Sequence, residues 1–130
     1  MIGIIIVSHS EKAAEGVRDI AEEMKDESVK VIAAGGADGG RIGTNPLKIQ
    51  EAIEAVRDKE GILLFVDLGS AVMSSEMAIE MLEEDVRKKV HIVNAPLVEG
   101  VVAATVQAST TRDIRSIIET AEESKNLRKV

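Results

Sequence analysis

Residues 2–10 read IGIIIVSHS, a run of aliphatic side chains that ends in Ser-His-Ser. A run that is apolar at nearly every position and rich in β-branched residues indicates a strand buried on both faces, which is typical of a parallel sheet. Three later runs share this character: Val29–Ala33, Ile62–Val66 and Val90–Val93. We therefore predict four parallel strands, the first of them Ile2–Val7.

The segments between these runs have helical periodicity. The first helix, about Glu11–Lys25, carries one apolar stripe with charged residues opposite. The second begins with Asn45 as its N-cap and Pro46 at its first position. A third stripe is rich in methionine, and we assign it to core packing: Met73, Met77, Met81 and Leu82. A last helix follows Thr110.

The fourth helix, Leu97–Ser109, differs from the others because its only charged residue is Glu99. A helix that is apolar nearly all round must be buried on more than one side. The sheet covers one side, and either the last helix or a second copy of the chain covers the other. We expect a homodimer.

The alternating order β-α-β-α-β-α-β-α-α predicts one α/β domain over residues 1–130. Right-handed crossovers give a doubly wound, four-stranded parallel sheet of order 2-1-3-4 with helices on both faces. In such sheets ligands bind outside the carboxyl ends of the strands, where the strand order reverses. The loops after the first and third strands should therefore flank a site.

Each of these two loops carries a residue with suitable chemistry. His9 follows the first strand and Asp67 follows the third, and neighbouring strands lie only ~4.8 Å apart. We predict that His9 is the nucleophile and that Asp67 orients its imidazole. Asp67 could instead be a loop carboxylate that satisfies backbone N–H groups. His91 lies within the fourth strand and is expected to be a packed or sheet-edge residue.

Other candidates for phosphate or partner binding surround this pair. Ser70 is expected to be the N-cap of the third helix, whose N-terminus with Gly69 could accept phosphoryl oxygens. Ser10, Thr44 and Arg41 are further candidates. The last two belong to a glycine-rich loop, residues 35–44, that matches neither a Walker A nor a Rossmann motif and is read as a flexible rim loop.

Composition excludes several classes of function. The chain has 130 residues, a formal net charge of −7, one Phe and no Trp or Tyr. These features argue against nucleic acids and anionic membranes, and favour a positively charged protein surface as partner. The absence of cysteine excludes disulfides and thiolate chemistry, and no carboxylate cluster at the strand ends predicts a metal site. With no signal peptide or membrane span expected, we predict a cytoplasmic protein.

Four segments in the same order resemble a known family. IIIVSHSEKAAEG (residues 4–16), GGADGGRIGT (35–44), DLGSA (67–71) and NAPLVEG (94–100) are similar to the phosphotransferase subunit of bacterial-type dihydroxyacetone kinase. That subunit in turn resembles the mannose-class IIA domain of the sugar phosphotransferase system. The resemblance extends from Ile2 to about Ala108.

The resemblance implies a phosphotransferase that acts as a phosphohistidine carrier. His9 would accept a phosphoryl group from a phosphocarrier protein such as HPr and pass it to ADP on the nucleotide-binding kinase subunit. ADP, ATP and magnesium would belong to that partner, with no cofactor on this chain. Asp67 matches the acidic residue near the active histidine of mannose-class domains.

Three alternatives compete with this interpretation. The nearest is a IIA component of a mannose-class sugar permease, although such domains carry an extra C-terminal strand where this chain is helical after Ala108. A response-regulator receiver would need an acidic pair after the first strand and a lysine after a fifth strand, and the sequence has neither. A non-catalytic interaction module of the same fold stays open.

Overall fold

The computed structural model describes all residues from 1 to 130. The strands are β1 Ile2–Val7, β2 Val29–Ala33, β3 Gly61–Val66 and β4 Val90–Val93. The helices are α1 Glu11–Glu22, α2 Pro46–Ala55, α3 Gly69–Glu80, α4 Glu84–Arg87, α5 Leu97–Ala108 and α6 Ile114–Glu123, with 3₁₀ turns at Asp38–Gly40 and Ser124–Asn126. None of the helices is long and apolar enough to cross a membrane.

All four strands are parallel, in the order β2-β1-β3-β4. The predicted α/β class, strand order and position of the order reversal are therefore confirmed. In the register of the central pair, Val7 lies opposite Val66. Strands β1 and β3 thus end level with one another, and the residues that follow them emerge side by side.

Side chains of the central strand alternate between two separate cores. Ile4 and Ile6 belong to one core, with residues of α1, α5 and α6. Ile5 and Val7 belong to the other, with residues of α2, α3 and α4. All four side chains are fully buried, which explains why this strand is apolar on both faces.

Helix α5 packs against the sheet and against α6. Val101 and Ala104 of α5 share a core with Ile117 and Ala121 of α6. Of the two alternatives for the second buried side of this helix, the last helix is the one observed. The homodimer stays a prediction. Helix α6 of the same chain covers the second side of α5, so the burial of α5 does not require a second copy.

The assignment of the third stripe to the core was wrong for its three methionines and is confirmed for Leu82, which is 3% exposed. Helix α3 buries Ala71, Ser75 and Ala78. Met73 and Met77 of the helix and Met81 directly after it are exposed, at 65%, 56% and 44%. Both stripes have helical spacing, so periodicity alone cannot choose between them. Small side chains let α3 lie close to the sheet, and the larger ones then point outward.

The ends of two helices and the number of helices also differ from expectation. Helix α5 ends at Ala108, one residue before the predicted Ser109. The first helix ends at Glu22, before the predicted Lys25. The short helix α4 was not predicted at all, because its four residues contain a single buried side chain, Val86. One buried position gives no periodic signal.

Candidate active site

The predicted histidine and carboxylate meet at the carboxyl edge of the sheet. His9 Nδ1 lies 2.9 Å from Asp67 Oδ1, and the two side chains are 21% and 22% exposed. Their proximity follows from the register, because β1 and β3 end level and the strands are neighbours. Both groups are therefore partly shielded yet reachable from solvent.

Asp67 accepts four hydrogen bonds. Its Oδ1 accepts one hydrogen bond from the His9 ring and another, at 2.7 Å, from the backbone N–H of Leu68. Its Oδ2 accepts hydrogen bonds from the Ser8 hydroxyl and from the backbone N–H of His9, both at 2.9 Å. Both kinds of contact expected of Asp67 are thus present, because it accepts hydrogen bonds from backbone N–H groups and is hydrogen-bonded to the imidazole. Its orienting role stays a prediction.

The hydrogen bonds also keep this carboxylate charged. Burial raises the pKa of Asp67, but the bonds from His9, Ser8 and Leu68 together outweigh burial and hold the pKa below its ordinary value. An ionised carboxylate can only accept hydrogen bonds. His9 Nδ1 must therefore carry the ring proton, which leaves the lone pair on Nε2.

Nε2 faces the start of helix α3, where it is hydrogen-bonded to the Ser70 hydroxyl. Ser70 was expected to be the N-cap, and this was wrong, because the cap position is Leu68 and the helix begins at Gly69. The Ser70 side chain is therefore free to reach His9. The first N–H groups of a helix have no partner inside it, so those of Gly69 and Ser70 can receive an anion beside Nε2.

The turn that carries His9 is held by its own serines. The Ser10 hydroxyl accepts from the N–H of Ala13 and caps α1, while its own N–H donates to Ser8 Oγ. Ser10 is thus committed to the helix start, and the structure shows no second role for it. Ser8 was not predicted. The strand register could have indicated it, since it lies level with Asp67.

The glycine-rich loop is tied to the same turn. The N–H of Gly36 donates to the Ser8 carbonyl at 3.0 Å, and the N–H of Gly43 donates to the His9 carbonyl at 2.8 Å. Both glycines have positive φ, +81° and +140°, a region that side chains disfavour. A Cβ atom at Gly35 would lie 2.6 Å from the Ser10 carbonyl oxygen. The loop therefore clamps the backbone of His9, where a flexible rim was expected.

The remaining candidates do not contact His9. Thr44 Oγ1 is hydrogen-bonded to Ser74 Oγ at 2.6 Å, which joins the loop to α3. Arg41 Nε donates to the Asp38 carbonyl within its own loop. Lys48, which was not predicted, donates to the Gly35 carbonyl at 2.6 Å. The site is thus built without a cation on the imidazole, and no group of three or more potential metal ligands is present.

The sequence model of the family described as PTS system fructose IIA component matches residues 3–118. This match covers every residue of the site and all of the sheet except Ile2.

Curated relatives are phosphoryl donor subunits of a kinase. The chain is 40% identical over 119 residues to the phosphoryl donor subunit DhaM of PEP-dependent dihydroxyacetone kinase 2 from Listeria innocua, covering 92% of this chain and 95% of that one. It is 42% identical to the DhaM subunit of Providencia stuartii and 43% identical to that of Escherichia coli K12, covering 95% and 91% of this chain. The chain spans only about a quarter of the length of those two relatives, 27% and 26%.

Solved structures show the same fold. A crystal structure of a protein described as of unknown function superimposes with a TM-score of 0.86 at 40% identity, covering 93% of this chain and 92% of that one. A phosphotransferase system component EIIA from Streptococcus agalactiae superimposes with a TM-score of 0.71 at 21% identity, covering 97% and 93%.

Proposed function

The chain belongs to the PTS fructose IIA component family, with the phosphoryl donor subunits of PEP-dependent dihydroxyacetone kinase among its relatives, and we propose that it carries a phosphoryl group on His9. The observation that carries this proposal is the orientation of the imidazole, with its proton on one ring nitrogen and its lone pair on the other. Nδ1 donates to the Asp67 carboxylate, and Nε2 presents its lone pair beside the N-terminus of α3. A neutral imidazole oriented in this way is a competent nucleophile near pH 7.

In the first step, the Nε2 lone pair attacks the phosphorus of a phosphorylated donor. The Nε2–P bond forms as the donor's own bond to phosphorus breaks, and the donor keeps that electron pair. The proton on Nδ1 stays in place, and Asp67 stabilises the positive charge that develops on the ring. The N–H groups of Gly69 and Ser70 can then hydrogen-bond the phosphoryl oxygens.

In the second step, an oxygen of the acceptor attacks the same phosphorus. The Nε2–P bond breaks and its electron pair returns to Nε2, which restores the starting imidazole. No proton enters or leaves the ring in either direction, because Nδ1 keeps its hydrogen throughout. The carrier is therefore regenerated without acid–base help from another side chain.

The donor in this proposal is an HPr-like phosphocarrier protein, and the acceptor is ADP bound to the nucleotide-binding subunit of dihydroxyacetone kinase. The names of the curated relatives, phosphoryl donor subunits of PEP-dependent dihydroxyacetone kinase, support a subunit of that kinase as the recipient. So does the absence of a cation hydrogen-bonded to His9, because phosphoryl transfer needs charge neutralisation that a partner must then supply. ADP, ATP and magnesium lie on that partner, with no cofactor on this chain. The exchange takes place in the cytoplasm.

The first experiment follows radiolabelled phosphate from PEP through enzyme I and HPr onto the chain. Wild type and His91→Ala should take up label, and His9→Ala should take up none. Phosphorylation should survive a metal chelator when purified phosphorylated HPr is the donor. Label retained in His9→Ala would refute the assignment of the nucleophile.

The second experiment identifies the acceptor. Labelled chain mixed with ADP alone should transfer nothing, and addition of the ADP-binding kinase subunit should form labelled ATP. Transfer to the IIB domain of a mannose-class sugar permease, with none to the kinase subunit, would instead make the chain a permease IIA component.

A further inference from the structure

Lys48 lies where a helix disfavours a positive charge. It is the third residue of α2, after Pro46 and Leu47. The N-terminus of a helix carries a partial positive charge, so a cation in the first turn destabilises the helix, and α2 has no acidic residue there to compensate. A residue that breaks a local rule of this kind is expected where the structure needs it for another purpose.

The Lys48 ammonium group binds a backbone carbonyl. Its Nζ donates to the carbonyl oxygen of Gly35 at 2.6 Å and to Glu11 Oε2 at the longer distance of 3.3 Å. The side chain is 34% exposed, so water screens these contacts only in part. A hydrogen bond from a charged donor is shorter and stronger than one between neutral groups. The bond to Gly35 is therefore the main contact of this lysine.

That carbonyl begins a chain of hydrogen bonds that ends at the site. The carbonyl of Gly35 and the N–H of Gly36 belong to one peptide group, and this N–H donates to the Ser8 carbonyl at 3.0 Å. The carbonyl of Ser8 and the N–H of His9 belong to a second peptide group, and this N–H donates to Asp67 Oδ2 at 2.9 Å. We call these two groups the linking peptides. They join the ammonium group of α2 to the carboxylate that holds the imidazole.

Both linking peptides are oriented so that the two charges stabilise them. No peptide bond of the chain is cis, so the C=O and the N–H of one peptide group point in opposite directions. The cation lies at the oxygen end of the first linking peptide, and the carboxylate lies at the N–H end of the second. Each peptide dipole is thus aligned between a positive and a negative charge. Hydrogen bonds in such a chain polarise one another and become stronger.

The first linking peptide has little freedom to turn out of this chain. A Cβ at Gly35 would lie 2.7 Å from Ala14 Cβ, and a Cβ at Gly36 would lie 3.0 Å from Glu11 Cβ. The backbone of the loop is therefore packed directly on α1. Because Lys48 holds the carbonyl of the same peptide, the loop, the turn of His9 and the N-terminus of α2 are fixed together.

We propose that Lys48 is a positioning residue for the reaction of His9 and acts through the linking peptides on the Asp67 carboxylate. This inference rests on the function proposed above, in which Nε2 must attack phosphorus in a fixed direction. The ammonium group polarises both peptides, so the N–H of His9 donates more strongly to Asp67. The carboxylate is then held in place, and through Nδ1 it holds the ring. The site thus has a cation that acts on the imidazole through the backbone without touching it.

Lys48→Met tests the charge, because methionine keeps most of the length of the side chain and removes the ammonium group. Two donors are compared: phosphorylated HPr, and potassium phosphoramidate, a small donor that docks on no protein surface. Uptake of label from both should slow by roughly three- to tenfold, since the geometry around His9 is loosened. With HPr the loss should lie in kcat, with KM within about twofold of wild type. Lys48→Arg keeps the charge and should recover most of both rates.

Amide proton shifts provide a second readout, which does not depend on phosphorylation. The N–H groups of Gly36 and His9 are the donors of the two linking peptides. Their resonances should both move upfield in Lys48→Met, because their hydrogen bonds weaken together. The N–H of Gly43 donates to the His9 carbonyl at 2.8 Å and lies outside the chain. Its shift should stay close to the wild-type value.

Lys89→Met is the matched control. Lys89 is also half-buried and also donates to a backbone carbonyl, that of Arg57. It directly precedes β4, at the opposite edge of the sheet from His9. Its loss should leave both uptake rates within about twofold of wild type, as expected for a change far from the site.

Glu11→Gln separates the linking peptides from the ion pair. This substitution removes the charge that pairs with Lys48 and leaves the bond to the Gly35 carbonyl. A partly exposed ion pair contributes little by itself. Both uptake rates should therefore stay within about twofold of wild type.

Each outcome decides the inference. Rates of Lys48→Met within twofold of wild type would overturn it, as would unchanged shifts of Gly36 and His9. Slowing with HPr alone would make Lys48 a contact of the partner, and equal slowing in Glu11→Gln would assign the effect to the ion pair. A Lys48→Arg protein as slow as Lys48→Met would contradict the role of the charge.

Two further measurements keep the test decisive. If Lys48→Met does not fold, Lys48→Gln, which removes the charge and keeps a polar side chain, should show the same slowing and the same shifts, and wild-type values would overturn the inference. Failure of the proposed function is distinguishable, because wild type itself would then take no label on His9 while the amide shifts still report on the linking peptides.

Discussion

Replacing Asp67 by Asn is the sharpest perturbation of the site, because the two side chains have the same shape. Asp67 faces four donors, two at each oxygen. An amide keeps only one acceptor oxygen, and its NH₂ group must face the other two donors. The backbone N–H groups of His9 and Leu68 cannot turn away, so one of them faces the NH₂ group in either orientation.

The consequence for His9 depends on that orientation. With NH₂ at the Oδ1 position, the imidazole can adapt only by moving its proton to Nε2, which removes the lone pair that attacks phosphorus. With NH₂ at the Oδ2 position, the turn that carries His9 loses its backbone hydrogen bond. Either change should slow phosphoryl uptake by about 10²-fold or more, as expected when an orienting carboxylate becomes an amide.

The same substitution should cost about 2 kcal/mol of stability, because hydrogen bonds to a charged acceptor are lost in a partly buried site. Rapid-quench measurement of label uptake from phosphorylated HPr gives the rate, and thermal unfolding gives the stability. The ¹⁵N shifts of the His9 ring report the tautomer. Ser8→Ala is the control, since it removes one neutral donor and should slow uptake by tenfold at most. An unchanged rate with the Nδ1–H tautomer intact would refute the orienting role.

Three further perturbations follow from the same contacts. Ser70→Ala removes the hydroxyl beside Nε2 and should slow label uptake by about three- to tenfold, whereas a slowing beyond a hundredfold would mean that Ser70 does more than hydrogen-bond. Because folding lowers the pKa of Asp67, its stabilisation is complete above the unfolded value of about 3.9 and is lost as pH falls through the folded value. The difference in free energy of unfolding between wild type and Asp67→Asn should therefore shrink as the pH falls below about 4, and a difference that grows below that pH would contradict this. Gly35→Ala should destabilise the chain by about 2 kcal/mol, since the new Cβ would lie 2.6 Å from the Ser10 carbonyl oxygen. Gly16→Ala is the control: its Cβ would have no neighbour within 4 Å, and it should raise the melting temperature slightly.

The fold could be predicted from sequence because burial on both faces leaves a local signature. Every position of Ile2–Val7 is buried, so the central strand is apolar throughout, and helices alternate with such strands along the chain. The position of the site followed from topology, since β1 and β3 are neighbours whose ends meet. The pairing of His9 with Asp67 could therefore be predicted from the sequence.

The predictions that were wrong depend on contacts between segments that are distant in the sequence. The choice between two stripes of α3 depends on how closely the helix approaches the sheet, which the small side chains Ala71 and Ala78 determine only in the packed structure. The clamp on His9 depends on the positive φ angles of Gly36 and Gly43. A sequence shows that these residues are glycines, but not which carbonyl their N–H groups will meet.

The central claim is that Nε2 of His9 carries the phosphoryl group while Nδ1 keeps its proton on Asp67. Nuclear magnetic resonance of ¹⁵N-labelled chain, phosphorylated by HPr, measures this directly through the coupling between phosphorus and the ring nitrogens. The account predicts a single phosphoramidate on Nε2 of His9, with the Nδ1–H signal retained. Phosphorus on Nδ1, on His91 or on a carboxylate would contradict it.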